Sequence, residues 1–169
     1  MKTLVVQLAA FLPRDRAAQI ALGAPLAAEG VAMIGDISGF TPLTETLARE
    51  LSPARGGEEL TRALNGVFAP LIGEVHRYGG SVIKFAGDAL IVWFPRPPRA
   101  RRDVVVRRAL AAAAGMQAAI ARHGQARTPA GPFTLTMKVG LAYGPALRVR
   151  LGDPLLGYED VIGGETLDR

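Results

Sequence analysis

Two aspartates, Asp36 and Asp88, each follow an apolar run and a glycine, the pattern expected for carboxylates at the end of a buried strand. If the two strands are neighbours, the carboxylates meet at one sheet edge, where they repel and raise each other's pKa. A divalent cation removes this repulsion, and Mg²⁺ is commonly held by one or two carboxylates together with substrate phosphates. The pair therefore predicts a cation site for phosphate chemistry. Taken alone, either aspartate could instead simply cap a turn.

The residues that follow Asp36 favour contact with a phosphate. Residues 37–41 read Ile-Ser-Gly-Phe-Thr and lead into a predicted helix, with Thr41 as its N-cap and Pro42 at its first position. Backbone N–H groups at such a turn and helix N-terminus point towards a bound anion. Gly39 lets the backbone approach a ligand closely, because it has no Cβ. The structural alternative is that Gly39 only permits the turn.

Lys84 interrupts an otherwise apolar strand shortly before Asp88. It could pair with a carboxylate, contact a nucleotide or point to solvent on the polar face, and strand alternation alone does not choose among these. The histidines, His76 and His123, fall on predicted helices away from both motifs. We interpret them as structural or surface residues.

The elements that must position these residues follow from the apolar periodicity and from glycine and proline. The first half of the chain predicts a helical segment with a connector (1–28), a strand (31–34), a helix (41–51), a break at Pro53 and Gly56-Gly57, and a core helix (60–75) that ends at Gly79-Gly80. The second half predicts a hairpin (82–86 and 89–94) with its turn at Gly87-Asp88, a helix (103–123), two strands (133–142 and 146–151) joined by a turn at Gly144-Pro145, and a short strand (161–162). This order predicts an α+β sandwich with helices on one face of a mostly antiparallel sheet.

Composition bounds the function classes. The chain has 169 residues, 49% of them hydrophobic, which predicts one folded domain and excludes disorder as the default. It has no cysteine, which excludes disulfide and thiolate chemistry and agrees with a cytoplasmic setting. The net charge of +5 suits an anionic partner such as a nucleotide, a nucleic acid or a membrane surface. No apolar run has the length of a transmembrane segment. A nucleic-acid binder is not expected, since aromatic residues are only 6% and most fall at predicted core positions.

Four blocks in order resemble one family. Residues 35–41 (Gly-Asp-Ile-Ser-Gly-Phe-Thr) and 84–90 (Lys-Phe-Ala-Gly-Asp-Ala-Leu) closely resemble the two metal motifs of the class III adenylate/guanylate cyclases, and the spacing between them matches. Residues 138–145 are similar to the family's central strand and turn, and 161–168 to the segment before its last catalytic helix. The branch most resembled is the first cyclase domain of the bicarbonate-responsive soluble adenylyl cyclases.

The resemblance implies a ferredoxin-like cyclase domain over residues 29–169, after an N-terminal helical extension over 1–28. It implies conversion of ATP to cyclic AMP and pyrophosphate with two divalent ions, Mg²⁺ or Mn²⁺, with Ca²⁺ as a further candidate. The metal ligands would be Asp36, Asp88 and the Ile37 carbonyl, with both aspartates counted as catalytic. The implied triphosphate contacts are Ser38, Gly39, Phe40, Thr41 and Gly87.

The resemblance also implies a purine or regulatory pocket and a second domain. Lys84 matches the position that selects adenine, and in the bicarbonate-responsive branch it lines the regulatory anion pocket instead. Asp160 or Val161 matches the second adenine contact. The family's sites form between two such domains, so the expected partner is a second cyclase domain, as a homodimer or as a pseudo-dimer within one chain.

This sequence departs from the family's pattern at its C-terminal end. The transition-state asparagine of the family falls near Asp168, and its partner arginine lies beyond Arg169. The domain is therefore expected to be incomplete at its C-terminus and weakly active or inactive alone. A non-catalytic or partner-dependent domain that regulates a second cyclase domain is the alternative function.

Overall fold

A computed structural model of the protein describes residues 13–17, 27–153 and 157–168. The elements in chain order are α1 (Arg14–Ala17), β1 (Ala27–Ser38), α2 (Phe40–Glu50), α3 (Pro53–Arg77), β2 (Ser81–Ala86), β3 (Ala89–Pro95), α4 (Arg102–His123), β4 (Gln125–Thr128), β5 (Gly131–Thr134), β6 (Thr136–Asp153), β7 (Gly157–Gly163) and α5 (Glu165–Asp168). Most of the predicted N-terminal extension lies outside the described residues, and β1 begins at Ala27 rather than near residue 31.

The predicted α+β architecture is confirmed. Five strands form one sheet in the order β2-β3-β1-β6-β7, and every neighbouring pair is antiparallel. β4 and β5 form a separate two-stranded hairpin. The long helices α3 and α4 pack on each other and, with β1 and β6, enclose the core. Successive side chains along a strand point to opposite faces of the sheet. Each strand therefore has one set of residues that faces the helices and another set that faces the opposite side.

The side covered by α3 and α4, which we call the helix face, holds the main apolar core. Its fully buried side chains include Met33, Leu71, Leu90 and Met116. The opposite side, which we call the open face, carries a small second cluster. That cluster comprises Ala32, Trp93, Ala146 and Ile162, with Ala28, Ile83, Ile91 and Leu167 packed against it. The edge strands β2 and β7 contact each other although they lie at opposite ends of the strand order, so the sheet is curled.

The predicted turn at Gly144-Pro145 is wrong. β6 runs without interruption from Thr136 to Asp153, and its residues Gly144 and Pro145 pair with Gly30 and Glu29 of β1. Proline removes a ladder donor and is tolerated where a strand lacks a neighbour on one side. β7 pairs with β6 only from Leu147 onwards, so Pro145 lies in such a stretch. Glycine and proline there mark a half-paired segment of one long strand.

Two helix boundaries also differ from the prediction. The N-cap of α2 is Gly39, with φ of 95°, and Thr41 lies inside the first turn. Gly56 and Gly57 do not break the chain, because α3 starts at Pro53 and runs through both. Gly56 is buried against the end of α2, where a Cβ would lie 3.2 Å from the Leu47 carbonyl oxygen. Close helix packing, which a local pattern does not reveal, explains this glycine.

Helix α4 is long and apolar enough to cross a membrane by length and composition alone. In the structure its apolar side is part of the main core, where Ala109, Ala112, Met116 and Ile120 are buried against the sheet. Packing on the helix face therefore accounts for part of its apolar composition, whereas Val104 and Leu110 are exposed.

Candidate functional site

Asp36 and Asp88 lie at the same end of the sheet on adjacent strands. Asp36 is in register with Ala89 of β3, the residue that follows Asp88. The Ile37 N–H donates a hydrogen bond to the Asp88 carbonyl oxygen at 3.3 Å, which joins the two segments directly. Neighbouring strands are about 4.8 Å apart. The structure thus places the two residues that the sequence singled out on adjacent strands at the same end of the sheet.

The β2–β3 turn presents Asp88 at the tip of the hairpin. Gly87 has φ of 65°, and no non-glycine residue in the described chain has positive φ. Positive φ at the first central residue is what a type II′ hairpin turn requires, which explains the order Gly-Asp. The predicted hairpin is confirmed. Asp36 is exposed and Asp88 half-buried, so both carboxylates are accessible from solvent.

The donor set at this edge fits a hard divalent cation bound together with a ligand. Within the described ranges no group of three or more histidine, cysteine, aspartate or glutamate side chains is placed to hold a metal. Two carboxylates suit Mg²⁺ or Mn²⁺, which keep waters and bind substrate phosphates as further ligands. The Ile37 backbone, the third predicted ligand, pairs with Met137 of β6 beside Asp36.

The turn from β1 into α2 lies beside the two aspartates. It carries four of the predicted triphosphate contacts, Ser38 to Thr41, at the N-terminus of an eleven-residue helix. Gly39 is required here, because a Cβ would lie 2.6 Å from the Thr134 carbonyl oxygen. Helix N-terminal N–H groups favour anions. Phe40, Gly87 and Asp88 also line a mainly apolar cavity of about 380 Å³ between α3 and the hairpin tip.

A β-bulge in β2 decides where Lys84 points. Val82 pairs with Val92 of the main core, whereas Lys84 pairs with Ile91, so the register shifts between them and Ile83 is the extra residue. Residues directly opposite on antiparallel strands share a face, and Ile91 belongs to the open-face cluster. The bulge therefore turns Lys84, which strict alternation would place with Val82, onto the open face. Asp36 lies on that same face, since Ile34 pairs with Ile91.

Lys138 is a further candidate, to which the sequence motifs gave no role. It is exposed and stands directly opposite Asp36 in the β1–β6 ladder, so a cation lies beside the carboxylate edge. The available signal was its position at the start of the third motif block, next to the strand that pairs with β1. Without the register, nothing in the sequence links Lys138 to Asp36.

Asp160 and Val161, the other predicted pocket residues, lie on β7. Their backbones pair with Arg150 and Val149 of β6. Because β2 and β7 contact each other across the curled sheet, the strand that carries Lys84 approaches the strand that carries Asp160 and Val161. Lys84 is on the open face, whereas Val161 points to the other face, because its neighbour Ile162 belongs to the open-face cluster.

The histidines lie on neither the carboxylate edge nor strands β2 and β7. His76 lies near the end of α3, and burial, followed by the Arg14 charge, lowers its pKa. His123 is exposed at the last residue of α4. Their interpretation as structural or surface residues agrees with these positions. Asp168, which the resemblance sets near the family's asparagine, is exposed at the end of α5.

Curated proteins similar in sequence to this chain are adenylate cyclases. No family model matches the chain. It is 30% identical over 137 residues to adenylate cyclase type 10 of Mus musculus, which covers 80% of this chain and 8% of that protein. The chain therefore spans about 8% of the length of the curated relatives it matches.

Solved structures have the same fold. The guanylyl cyclase Cya2 superposes with a TM-score of 0.66 at 25% identity, over 84% of this chain and 66% of that one. A bacterial light-regulated adenylyl cyclase superposes with a TM-score of 0.71 at 20% identity, over 99% of this chain and 47% of that one. Sequence similarity and fold similarity therefore both relate this chain to adenylyl and guanylyl cyclases.

Proposed function

Because the chain belongs to the class III adenylyl/guanylyl cyclase domain family, we propose that it is a nucleotidyl cyclase domain converting ATP to cyclic AMP and pyrophosphate. The observation that carries the proposal is the register that sets Asp36 against Ala89, beside Asp88. Two carboxylates at one accessible sheet edge are the donor set that divalent ions share with a triphosphate. A cytoplasmic setting, where ATP is available, belongs to the proposal.

The metal ligands proposed are Asp36, Asp88 and the Ile37 carbonyl, with two Mg²⁺ or Mn²⁺ ions and Ca²⁺ as an alternative. When bound, such ions would make the ribose 3′-hydroxyl more acidic and neutralise charge on the triphosphate. The 3′-oxygen attacks the α-phosphorus in line, its proton is lost to solvent, and pyrophosphate leaves. No side chain is needed as a nucleophile.

The protein's own contribution is to hold the triphosphate. The N–H groups of residues 38–41 at the start of α2, together with the Gly87 turn, are oriented before substrate arrives, because the sheet fixes both segments. Lys138 opposite Asp36 adds a positive charge where phosphate charge gathers. These groups position the nucleotide and stabilise charge that develops on the leaving pyrophosphate.

Purine selection is proposed for Lys84 with Asp160 or Val161. These residues lie on β2 and β7, two strands that contact each other across the curled sheet. A domain that offers metals at one place and purine contacts at another completes two sites when it pairs with a second cyclase domain. We propose that the partner is a second copy or a second domain of the same protein. In the alternative role for Lys84, the same pocket takes bicarbonate.

The alternative function is a partner-dependent or non-catalytic domain that regulates a second cyclase domain, favoured by Asp168, which the resemblance sets near the family's transition-state asparagine. Cyclic AMP formation should be measured from the chain alone and then mixed with a candidate second domain. Activity only in the mixture supports partner dependence. No activity in either, with ATP binding retained, supports a regulatory role.

The metal assignment is tested by Mn²⁺ titration followed by electron paramagnetic resonance. Asp36→Asn and Asp88→Asn should each weaken Mn²⁺ binding at least about tenfold, because each removes one of two anionic ligands. Glu45→Gln, an exposed carboxylate on α2, is the matched control and should bind as the wild type does. Equal Mn²⁺ affinity in all three variants would refute the cation site.

A further inference from the structure

We propose that Asp15 is a positioning residue for the purine pocket: it ties β2 to β6 across the open face and so sets the gap between Lys84 and strand β7. This inference rests on the proposed function, because it assigns Asp15 to the pocket named there. Asp15 lies in α1, far in sequence from every motif residue, and has no role in the metal site.

The tie consists of two contacts from one residue. The Asp15 backbone N–H donates to Ser81 Oγ at 2.8 Å. Arg148 Nη1 donates to Asp15 Oδ2 at 2.7 Å. Ser81 is the first residue of β2 and Arg148 belongs to β6, two strands that β3 and β1 separate in the sheet order. A single residue therefore bridges two strands that do not pair with each other.

Burial makes this tie a directional restraint. Ser81 and Arg148 are each 2% exposed, and the Asp15 side chain is 11% exposed. A charge-assisted hydrogen bond in such a place is short, strong and poorly screened by water. The apolar contacts on the open face are not directional, since hydrophobic burial depends on area removed from water. These apolar contacts persist when β2 shifts relative to β6, whereas the Asp15–Arg148 hydrogen bond does not.

Side-chain packing also contributes to the gap, because Ile83 of β2 packs against the cluster that contains Ile162 of β7. A cavity of about 780 Å³ opens beside Asp15 and Arg148, between the starts of β1 and α1 and the end of β3. Close packing would otherwise restrain Asp15 and Arg148 from this side. On this side of the pair, open space replaces packed side chains.

The tie reaches both halves of the proposed purine pocket. Ser81 lies three residues before Lys84 on β2, with the bulge between them. Arg148 stands directly opposite Ile162 on β7, next to Val161. A shift of Ser81 relative to Arg148 therefore changes the distance from Lys84 to β7. The Asp36–Asp88 edge is held by the continuous β1–β3 ladder and should not follow that shift.

The gap itself can be measured, because the chain has no cysteine. Spin labels on Lys84→Cys and Gly163→Cys report the β2–β7 distance by double electron–electron resonance. A Cβ at Gly163 would meet nothing within 4 Å, so the label fits there. Adding Asp15→Asn or the milder Ser81→Ala should broaden or displace the distance distribution. Asp103→Asn, which removes two exposed ion pairs at the start of α4, should leave it unchanged.

Nucleotide binding tests the consequence in the unlabelled full chain. Asp15→Asn should weaken binding of fluorescent N-methylanthraniloyl-ATP about tenfold and bring its preference over the GTP analogue towards one, because a misplaced recognition group loses most of its value. Mn²⁺ affinity without nucleotide should change by less than about twofold, as expected for an independent site. Circular dichroism verifies that each variant is folded.

Three results would overturn the inference, and they separate it from the proposed function. An unchanged β2–β7 distance in both Asp15→Asn and Ser81→Ala refutes the tie. A parallel loss of Mn²⁺ and nucleotide affinity shows general loosening and refutes the positioning role. If the wild type binds Mn²⁺ but neither nucleotide, the purine pocket itself is refuted, and the distance measurement still reports whether Asp15 holds the strands.

Discussion

Replacing Gly39 by alanine should lower the free energy of unfolding by about 3 kcal/mol while leaving the domain folded. The φ of 95° at Gly39 lies in the left-handed region, where a side chain costs about 1–2 kcal/mol. The new Cβ would lie 2.6 Å from the Thr134 carbonyl oxygen and 3.3 Å from Leu135 Cδ2, and relieving such crowding costs about 1–3 kcal/mol. Domains of this size have about 5–15 kcal/mol of stability.

Gly66→Ala is the matched control. Gly66 lies within α3, and a Cβ there would meet nothing within 4 Å. Alanine is favoured over glycine in a helix interior by about 0.5–1 kcal/mol, so this variant should be more stable than the wild type. Urea unfolding followed by circular dichroism measures both variants. A loss below about 0.5 kcal/mol in Gly39→Ala would refute the requirement for positive φ and close approach at this turn.

The same pair separates stability from ligand binding. The turn at Gly39 carries the N–H groups proposed to hold the triphosphate, so folded Gly39→Ala should bind N-methylanthraniloyl-ATP more weakly than the wild type. Gly66→Ala should bind it normally, since α3 keeps its backbone. Normal binding by Gly39→Ala at temperatures where it is folded would contradict the assignment of this turn to the triphosphate.

Two further perturbations test charges that the structure places. Lys138→Gln should weaken ATP binding by about tenfold to a hundredfold, the loss expected when a charge-assisted hydrogen bond to phosphate is removed. Mn²⁺ affinity without nucleotide should not fall, because the substitution removes a positive charge beside Asp36. Calorimetry measures both affinities with exposed Arg122→Gln as the control, and a parallel fall in both would contradict the role of Lys138. Hydrogen bonds from Tyr143, at 2.6 Å, and from Arg96 hold the pKa of the Glu29 carboxyl below its ordinary 4.5. The stability it contributes is present above that ordinary value and is lost as pH falls through the lowered folded-state pKa. Below about pH 4.5, the melting temperature of Glu29→Gln should therefore fall less steeply with acidification than that of the wild type. The same dependence of melting temperature on pH in both proteins would contradict the contribution of this network.

The local sequence pattern was enough to predict the helices and strands that carry the carboxylates. The apolar stripe of α3 and the runs on either side of Gly87-Asp88 follow from periodicities of 3.6 and 2, which each segment carries within itself. The motif residues around Asp36 and Asp88 have the spacing of a known family, so the carboxylate pair could be singled out from sequence. The α+β class follows from the order of these elements.

Other features depend on partners far along the chain, and only the tertiary structure decided them. Pro145 remains in a strand because β7 is absent beside it, and Gly56 stays helical because α2 packs against it. Lys84 faces the open side because a bulge at Ile83 shifts the register against β3. The sequence around each of these residues is compatible with either outcome.

The same reason applies to Lys138 and Asp15. Lys138 lies opposite Asp36 through a ladder that joins residues far apart in the sequence, and Asp15 meets Arg148 across the curl of the sheet. Residue types and spacing determined which side chains could do phosphate chemistry. Strand register and sheet curvature, which are set by long-range pairing, decided which charges surround them.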